Sequence, residues 1–299
     1  MATIEREVFD AMGTTAQLTV RGAPRGTGVR LRRRIEQLEQ RWSRFRPDSE
    51  VSTLNVAAGD AVAVSTDTVE LVTKACAGWA LSGGAYDPTV LGAMVANGYD
   101  RTFVELRAAG AGLPWAMTAP GCAGIVVDAG SGRVALPEGV GFDPGGIGKG
   151  LAADIIVREA LAAGAVGVLA NLGGDLRVAG EPEGGDCWLV EMIEPTVLGR
   201  PLARLALRDG AVATTTDRRR RWKTRHGERH HIIDPSSGGS AVTGRAIVSA
   251  VAAEGWWAEV AATWLTIAGP GCVPPHVAAL VVDDDLTTHR VGAIDRYLR

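Results

Sequence analysis

Residues 141–154 read GFDPGGIGKGLAAD, and this stretch restricts the path of the chain more than any other. The segment before it, GRVALPEGVGF, has the turn residues and branched apolars of a short strand. After it, Leu151, Ile155, Ile156 and Ala160 recur at helical spacing, and Gly164 suits a C-terminal cap. Gly145, Gly146, Gly148 and Gly150, with Lys149 among them, therefore lie in a strand-to-helix turn. Such a turn can need glycine for backbone geometry alone. It can also offer bare backbone N–H groups to an anion at the positive end of a helix, with phosphate as the obvious guest. Neither familiar phosphate fingerprint fits. Asp143 stands where a P-loop needs glycine and Gly150 where it needs Ser or Thr, while the even spacing of Gly146, Gly148 and Gly150 breaks the dinucleotide pattern. Both readings stay open on this stretch alone.

The rest of the chain sets the fold class. REVFDAMGTTAQLTV reads as a strand pair broken at Met12-Gly13. A helix follows with Leu31, Ile35, Leu38 and Trp42 as its apolar stripe, and RPDSEVSTLN reads as a polar turn. A second helix is expected after Ser65 or Thr66, with Asp67 and Glu70 in its first turn and Gly83-Gly84 at its end. Residues 85–125 show no clear period. GVLANLGGDLRVAG reads as a strand entering a glycine pair, and CWLVEMI and RLALRDGAVATTT as one further strand each. His226-Gly227 is expected at a hairpin tip, RAIVSAVAA as a strand, WWAEVAATWLTIAG as a helix ended by Gly269, and HVAALVVDDD as the last strand. Strands and helices mix without regular alternation, which predicts an α+β fold with a mixed, largely antiparallel sheet flanked by helices. With no repeat and no convincing linker, residues 1–299 are expected to form a single domain.

Composition narrows the function classes. The chain is 46% hydrophobic and 22% charged, ordinary for a globular enzyme, and its net charge of −3 opposes a nucleic-acid binder. Cys76, Cys122, Cys187 and Cys272 form no CxxC pair, so reduced thiols are expected rather than a zinc site. The opening MATIEREVFDAMGTT carries charges where a signal peptide needs an apolar core, and no run reaches the length of a membrane span. A cytoplasmic protein without a membrane span is the expectation.

Eight segments in order carry a resemblance: AMGTT, RFRPDSEVSTLN, GGAYDPTV, FDPGGIGKGLAAD, NLGGDLRVAG, AVATTT, HHIIDPSSGG and AEVAATWL. Together they resemble the ApbE-like flavin transferases, the FAD:protein FMN transferase family. The resemblance implies an α+β fold with an FAD cleft between two lobes. It also implies Mg²⁺ at the pyrophosphate, and transfer of the FMN half of FAD onto a Ser or Thr hydroxyl of an acceptor protein, releasing AMP.

Residue by residue, the resemblance places Met12, Gly13, Ala85, Tyr86 and Asp87 at the flavin and ribose, and Asp143 at the flavin nucleotide. Lys149 becomes a charge partner for phosphate, with a solvated lysine as its plain alternative. Gly146 would lend a backbone carbonyl to the metal, and Glu259 and Thr263 would complete its protein ligands. Glu259 stands where the family has aspartate, and its extra methylene sets it apart for an ion as exacting as magnesium. His231, in the His-x-x-Asp-Pro signature with Asp234, is the candidate to take the hydroxyl proton, ahead of His230. Gly173 and Gly174 would allow close backbone approach, and Thr215 would supply a hydroxyl where many members have serine. Asp175 is a weaker candidate.

Two other readings share these residues: an FAD pyrophosphatase with water as acceptor, and an FAD-binding homologue without turnover. The basic run Arg218–Arg221, continued by Lys223, Arg225 and Arg229, reads first as a solvated hairpin and second as a docking surface for an acidic acceptor segment or the AMP phosphate. Nucleic acid ranks last. A zinc site at His226, His230 and His231 lacks a fourth ligand.

Overall fold

The chain opens as the expected hairpin, with β1 (Ile4–Ala11) and β2 (Thr14–Arg21) paired antiparallel across Met12-Gly13. The computed structural model describes residues 3–106, 112, 117–193 and 201–299. Next come α1 (Thr27–Trp42), α2 (Glu50–Val56), β3 (Val62–Ala63), α3 (Thr66–Ser82), α4 (Leu91–Ala96) and α5 (Phe103–Leu106). The middle of the chain holds β4 (Val126–Asp128), β5 (Arg133–Ala135), α6 (Gly148–Ala162), β6 (Gly167–Leu172), β7 (Asp175–Gly180) and β8 (Trp188–Ile193). It continues through β9 (Pro201–Leu207), β10 (Gly210–Thr216), β11 (Arg221–Thr224), β12 (Gly227–His230) and β13 (Arg245–Ala252). The last elements are α7 (Gly255–Ala268), β14 (Ala278–Asp283) and β15 (Thr288–Val291), before a short 3₁₀ turn.

Local signals explain most of these boundaries. Leu31, Ile35, Leu38 and Trp42 are all buried on α1, each worth about 2 kcal/mol relative to exposure. Ser65 caps α3 by accepting from Thr68 N, and Gly83 ends it in the left-handed region at φ 61°. Four expectations need correction. The polar turn contains α2, because Ser49 caps it through Ser52 N and Val51 and Leu54 bury one face. The run RLALRDGAVATTT is two strands, β9 and β10, divided at Arg208-Asp209. A further strand, β15, follows HVAALVVDDD and pairs with β14. The basic hairpin turns at Arg225-His226, one residue earlier than expected, since Gly227 already pairs with Thr224.

The described chain forms two compact units. One comprises residues 1–39, 149–216 and 245–299, and the other residues 40–148 and 217–244. In the first, eight strands form an antiparallel sheet in the order β1-β2-β6-β7-β10-β13-β14-β15. The faces of this sheet are divided by strand alternation. Ala211, Ala213, Ala250 and Ala252 face Ala258, Ala261, Ala262 and Leu265 of α7. Small residues on both sides let helix and sheet backbones approach. Val212, Val251 and Leu280 belong to a second cluster with Trp188, Val190 and Leu205 of the β8–β9 hairpin.

The second unit holds α2 to α5, a three-stranded β3-β5-β4 sheet and the β11–β12 hairpin. Its apolar cluster joins Met94 and Tyr99 to Trp222 and Ile233, with Phe45 and Phe103 against it. Among the described residues no helix is long and apolar enough to cross a membrane.

Candidate functional site

In the first unit, three charged side chains converge where α6, α7 and β7 begin. Lys149 lies in the first turn of α6, Asp175 opens β7, and Glu259 lies in the second turn of α7. The Lys149 ammonium donates to Glu259 Oε1 at 2.5 Å and to Asp175 Oδ2. The other Glu259 oxygen, Oε2, accepts from Gly150 N at 2.7 Å, and Asp175 Oδ1 accepts from Thr214 N at 3.2 Å. Asp175 and Glu259 side chains are 7% and 5% exposed and Lys149 19%, so the solvated-lysine reading is overturned and Glu259 is buried.

Burial works against the charge on Lys149, but the two carboxylates outweigh it and its pKa is raised. Burial likewise disfavours ionised Glu259; Lys149 opposes this and the Asp175 charge adds to it, leaving Glu259 raised to about 7. The two directions are compatible because one cation meets two anions. Lys149 stays charged, and Glu259 is the member of the cluster whose ionised form burial disfavours.

Close backbone contact brings α6 and α7 to this point. A Cβ on Gly150 would stand 2.2 Å from Gly255 O, and one on Gly255 would stand 2.5 Å from Gly150 O. Asp154, one turn further along α6, caps α7 by accepting from Gly255 N at 2.7 Å and Trp256 N at 3.0 Å. Arg177 Nε is 3.5 Å from its carboxylate. Burial raises the Asp154 pKa to about 6, against these two backbone donors and Arg177.

Backbone N–H groups of the glycine-rich turn have partners inside the protein. Gly145 N donates to Asp143 Oδ1, Ile147 N and Gly148 N to Pro144 O, and Gly150 N to Glu259. Those four donors are committed within the protein. Gly150 is required by packing, and the turn does not present an open cradle at these positions.

The same end of the eight-stranded sheet gathers two hairpin turns. Met12 and Gly13 both have positive φ, 52° and 67°, which is unusual for methionine. Gly173 and Gly174 connect β6 to β7, and Gly173 N donates to Thr15 O at 3.2 Å. A Cβ on Gly173 would meet Thr14 Oγ1 at 2.1 Å, so glycine is needed there for close approach. Thr214 shares a 2.8 Å hydroxyl contact with Ser249, and Thr216 donates to Ala246 O. Thr215, between them, is half-buried. Thr263 is half-buried on α7, one turn beyond Glu259.

In the second unit, Asp143 is buried and pairs with Arg44 Nε at 3.0 Å. Asn55 holds the adjacent Phe142 backbone through both its N–H and its carbonyl. Gly146 is half-buried in the turn before α6. Ala85 is half-buried, Tyr86 is 2% exposed, and Asp87 accepts from Thr89 N at 2.8 Å and Thr89 Oγ1 at 2.6 Å. Burial raises the Asp87 pKa despite those bonds.

His230 is committed to structure. Its Nε2 meets Ala241 O at 3.0 Å, while Nδ1 accepts from Ile232 N, which assigns a neutral ring protonated at Nε2. Burial lowers its pKa. His231 follows β12 and is half-buried. Asp234 builds the next turn by accepting from Ser236 N and Oγ. Its burial would raise its pKa, but the serine hydrogen bonds prevail and lower it.

Asp175, the weaker candidate in the sequence, joins Lys149 and Glu259, while Arg44 and Asp154, not among the candidates, partner Asp143 and the start of α7. The available signals were the position of Asp175 directly after a glycine pair and of Asp154 in the same GKGLAAD segment. Among the described residues no group of three or more His, Cys, Asp or Glu gathers to hold a metal. Magnesium takes oxygen donors, and the Glu259 carboxylate and Thr263 hydroxyl are of that kind and share one helix face. The donor set fits the ion in chemistry. An ion engaged through Glu259 shares that carboxylate with Lys149 and Gly150 N, and the adjacent ammonium opposes a second cation.

The ApbE family model matches residues 12–280. A Rhodobacter capsulatus protein named FAD:protein FMN transferase is 28% identical over 88% of this chain, which spans only 51% of that relative. A Treponema pallidum protein of the same name is 31% identical, covering 88% of this chain and 78% of its own length. Among solved structures, the ApbE protein of Thermotoga maritima superposes with TM-score 0.85 at 24% identity, covering 99% of this chain and all (100%) of that one. The Pseudomonas stutzeri flavinyl transferase ApbE, apo form, has TM-score 0.81 at 22% identity, over 99% of this chain and 96% of that one. These likenesses match the mixed helix-and-strand fold described above.

Proposed function

The chain belongs to the ApbE family, and from that premise we propose that it transfers the FMN moiety of FAD onto a Ser or Thr hydroxyl of an acceptor protein, releasing AMP. The observation that carries this reading is the buried Lys149–Asp175–Glu259 cluster at the starts of α6, β7 and α7. Two of its members fall on positions that the resemblance gives to phosphate and metal binding.

The chemistry is attack of the acceptor oxygen on the phosphorus nearer riboflavin, with cleavage of that phosphorus from the bridging oxygen that leaves with AMP. Such transfers gain mostly from positioning and from neutralising phosphoryl charge. Lys149 supplies one fixed positive charge for a phosphate oxygen, held in place by Asp175. Magnesium, held by Glu259 and Thr263, would neutralise phosphoryl oxygens when bound. His231 takes the proton of the attacking hydroxyl, whereas His230 is spent on Ala241 and Ile232. Asp143, Asp87 and the turns at Met12-Gly13 and Gly173-Gly174 position the nucleotide.

One observation favours a second reading, an FAD-binding homologue without metal-dependent turnover: both Glu259 oxygens already accept hydrogen bonds. An HPLC time course of FAD with the protein, magnesium and an FMN-binding acceptor domain separates the readings. AMP with covalent flavin on the acceptor supports transfer, and AMP with free FMN indicates a pyrophosphatase. Intact FAD, with an acceptor that a known transferase does modify, supports the binding protein.

A further inference from the structure

Residues 217–230 carry seven Arg or Lys against two carboxylates, a local charge of +5 in a chain of −3. These residues form the β11–β12 hairpin and its approach within the second unit. Asp217 and Glu228 are spent on Arg218 and Arg221. Arg219, Lys223 and Arg225 are exposed and make no ion pair among the described residues. Strand alternation puts Arg221 and Lys223 on one face, while Trp222 points the other way and is buried.

The hairpin is firmly anchored. Trp222 Nε1 donates to Asn97 O at 2.9 Å, its ring lies 5.2 Å from Tyr99, and the Asn97 amide donates to Gly238 O at 2.7 Å. His230 closes the other strand on Ala241 O. The backbone that carries these cations is held in place by those contacts, so a ligand has only their side chains to order.

We propose that this basic hairpin face docks an acidic segment of the acceptor protein and guides the neighbouring hydroxyl toward His231. The proposal rests on the transferase reading. Continuity of the chain carries it: β12 ends at His230, and His231 is the next residue. Lys223 lies opposite Glu228, three residues before His231, a span of about 10 Å at strand rise. An acceptor with carboxylates a few residues from its modified Ser or Thr matches that span. The net acidity of the chain and the small size of the patch favour a peptide over nucleic acid.

The test uses the full chain and short fluorescein-labelled peptides, each with one threonine: one Asp/Glu-rich, one with Asn/Gln in their place, one with Lys in their place. An oligonucleotide of matching charge is the fourth probe. Fluorescence anisotropy is read for the native protein and for the Arg219→Glu, Lys223→Glu, Arg225→Glu triple variant, with near-UV circular dichroism and FAD affinity confirming its fold. The expected result is preference of the native protein for the acidic peptide, weakened by salt. The variant loses about tenfold or more for that peptide and gains the Lys peptide.

Equal binding of acidic and neutral peptides, or no change in the variant, overturns the proposal and leaves the charges as protection of an exposed hairpin edge. Tighter oligonucleotide binding also overturns it. Because docking is read without turnover, its failure leaves the transferase reading standing. Absence of flavin transfer with peptide docking intact sinks the transferase reading instead.

Discussion

Lys149 Nζ lies 2.5 Å from Glu259 Oε1, and the same carboxylate holds the N–H of Gly150 through Oε2. One glutamate thus ties the only side-chain cation of the glycine-rich turn to the start of its helix. The extra methylene of glutamate gives the carboxylate the reach of both partners, and magnesium must compete with them.

The first prediction concerns that competition. Glu259→Ala is expected to leave FAD binding measurable and to cut magnesium-dependent AMP release by about 100-fold or more, some 3 kcal/mol of transition-state stabilisation. Glu259→Asp, one methylene shorter, is expected to lower the magnesium concentration needed for half-maximal AMP release. Unchanged turnover in Glu259→Ala would remove the residue from the metal site.

Lys149→Ala separates ligand binding from folding. FAD affinity is expected to fall by about tenfold or more with riboflavin affinity nearly unchanged, because only FAD carries the pyrophosphate. Stability is expected to fall by a few kcal/mol, since two buried carboxylates lose their cation. Titration calorimetry with both ligands decides: an equal loss for FAD and riboflavin means that Lys149 acts through the fold.

Gly150→Ala is expected to be among the most damaging single methyl additions in the chain. Its Cβ would meet Gly255 O at 2.2 Å, a backbone atom that cannot rotate away. The expected cost is about 3 kcal/mol in urea unfolding. Gly255→Ala is expected to cost a similar amount, and the double variant less than the sum, because either change pushes α6 and α7 apart. Strict additivity would show that the two glycines do not share one contact.

Asp154 sets a pH dependence. Its pKa rises from an ordinary 3.8 to about 6 in the folded protein, so folding favours the protonated acid. Its stabilising contribution is therefore full below pH 3.8 and is lost as pH rises through 6, an amount of about 3 kcal/mol. Relative to Asp154→Asn, the native protein is expected to lose stability between pH 4 and pH 6 and to run parallel above that. A stability difference flat over the whole range would contradict the shift.

Much of the fold was legible in local sequence, because local forces fix those features. The stripe Leu31, Ile35, Leu38 and Trp42 can bury itself only as a helix, Ser65 and Gly83 punctuate α3, and Met12-Gly13 turns a hairpin. The polar turn failed as a reading because a cap at Ser49 and a single apolar pair suffice for a short helix.

Eight ordered segments nominated the candidate site positions, but the state of each side chain was not legible in them. The sequence by itself determined where the chain turns, which faces are apolar and that Lys149 opens a helix. Tertiary structure alone decided that Lys149 is ion-paired rather than solvated, that Glu259 is buried and that Gly150 serves close packing. Lys149 and Glu259 are 110 positions apart. Desolvation and charge depend on which distant groups arrive at the same place, and neither propensity nor periodicity encodes that arrival.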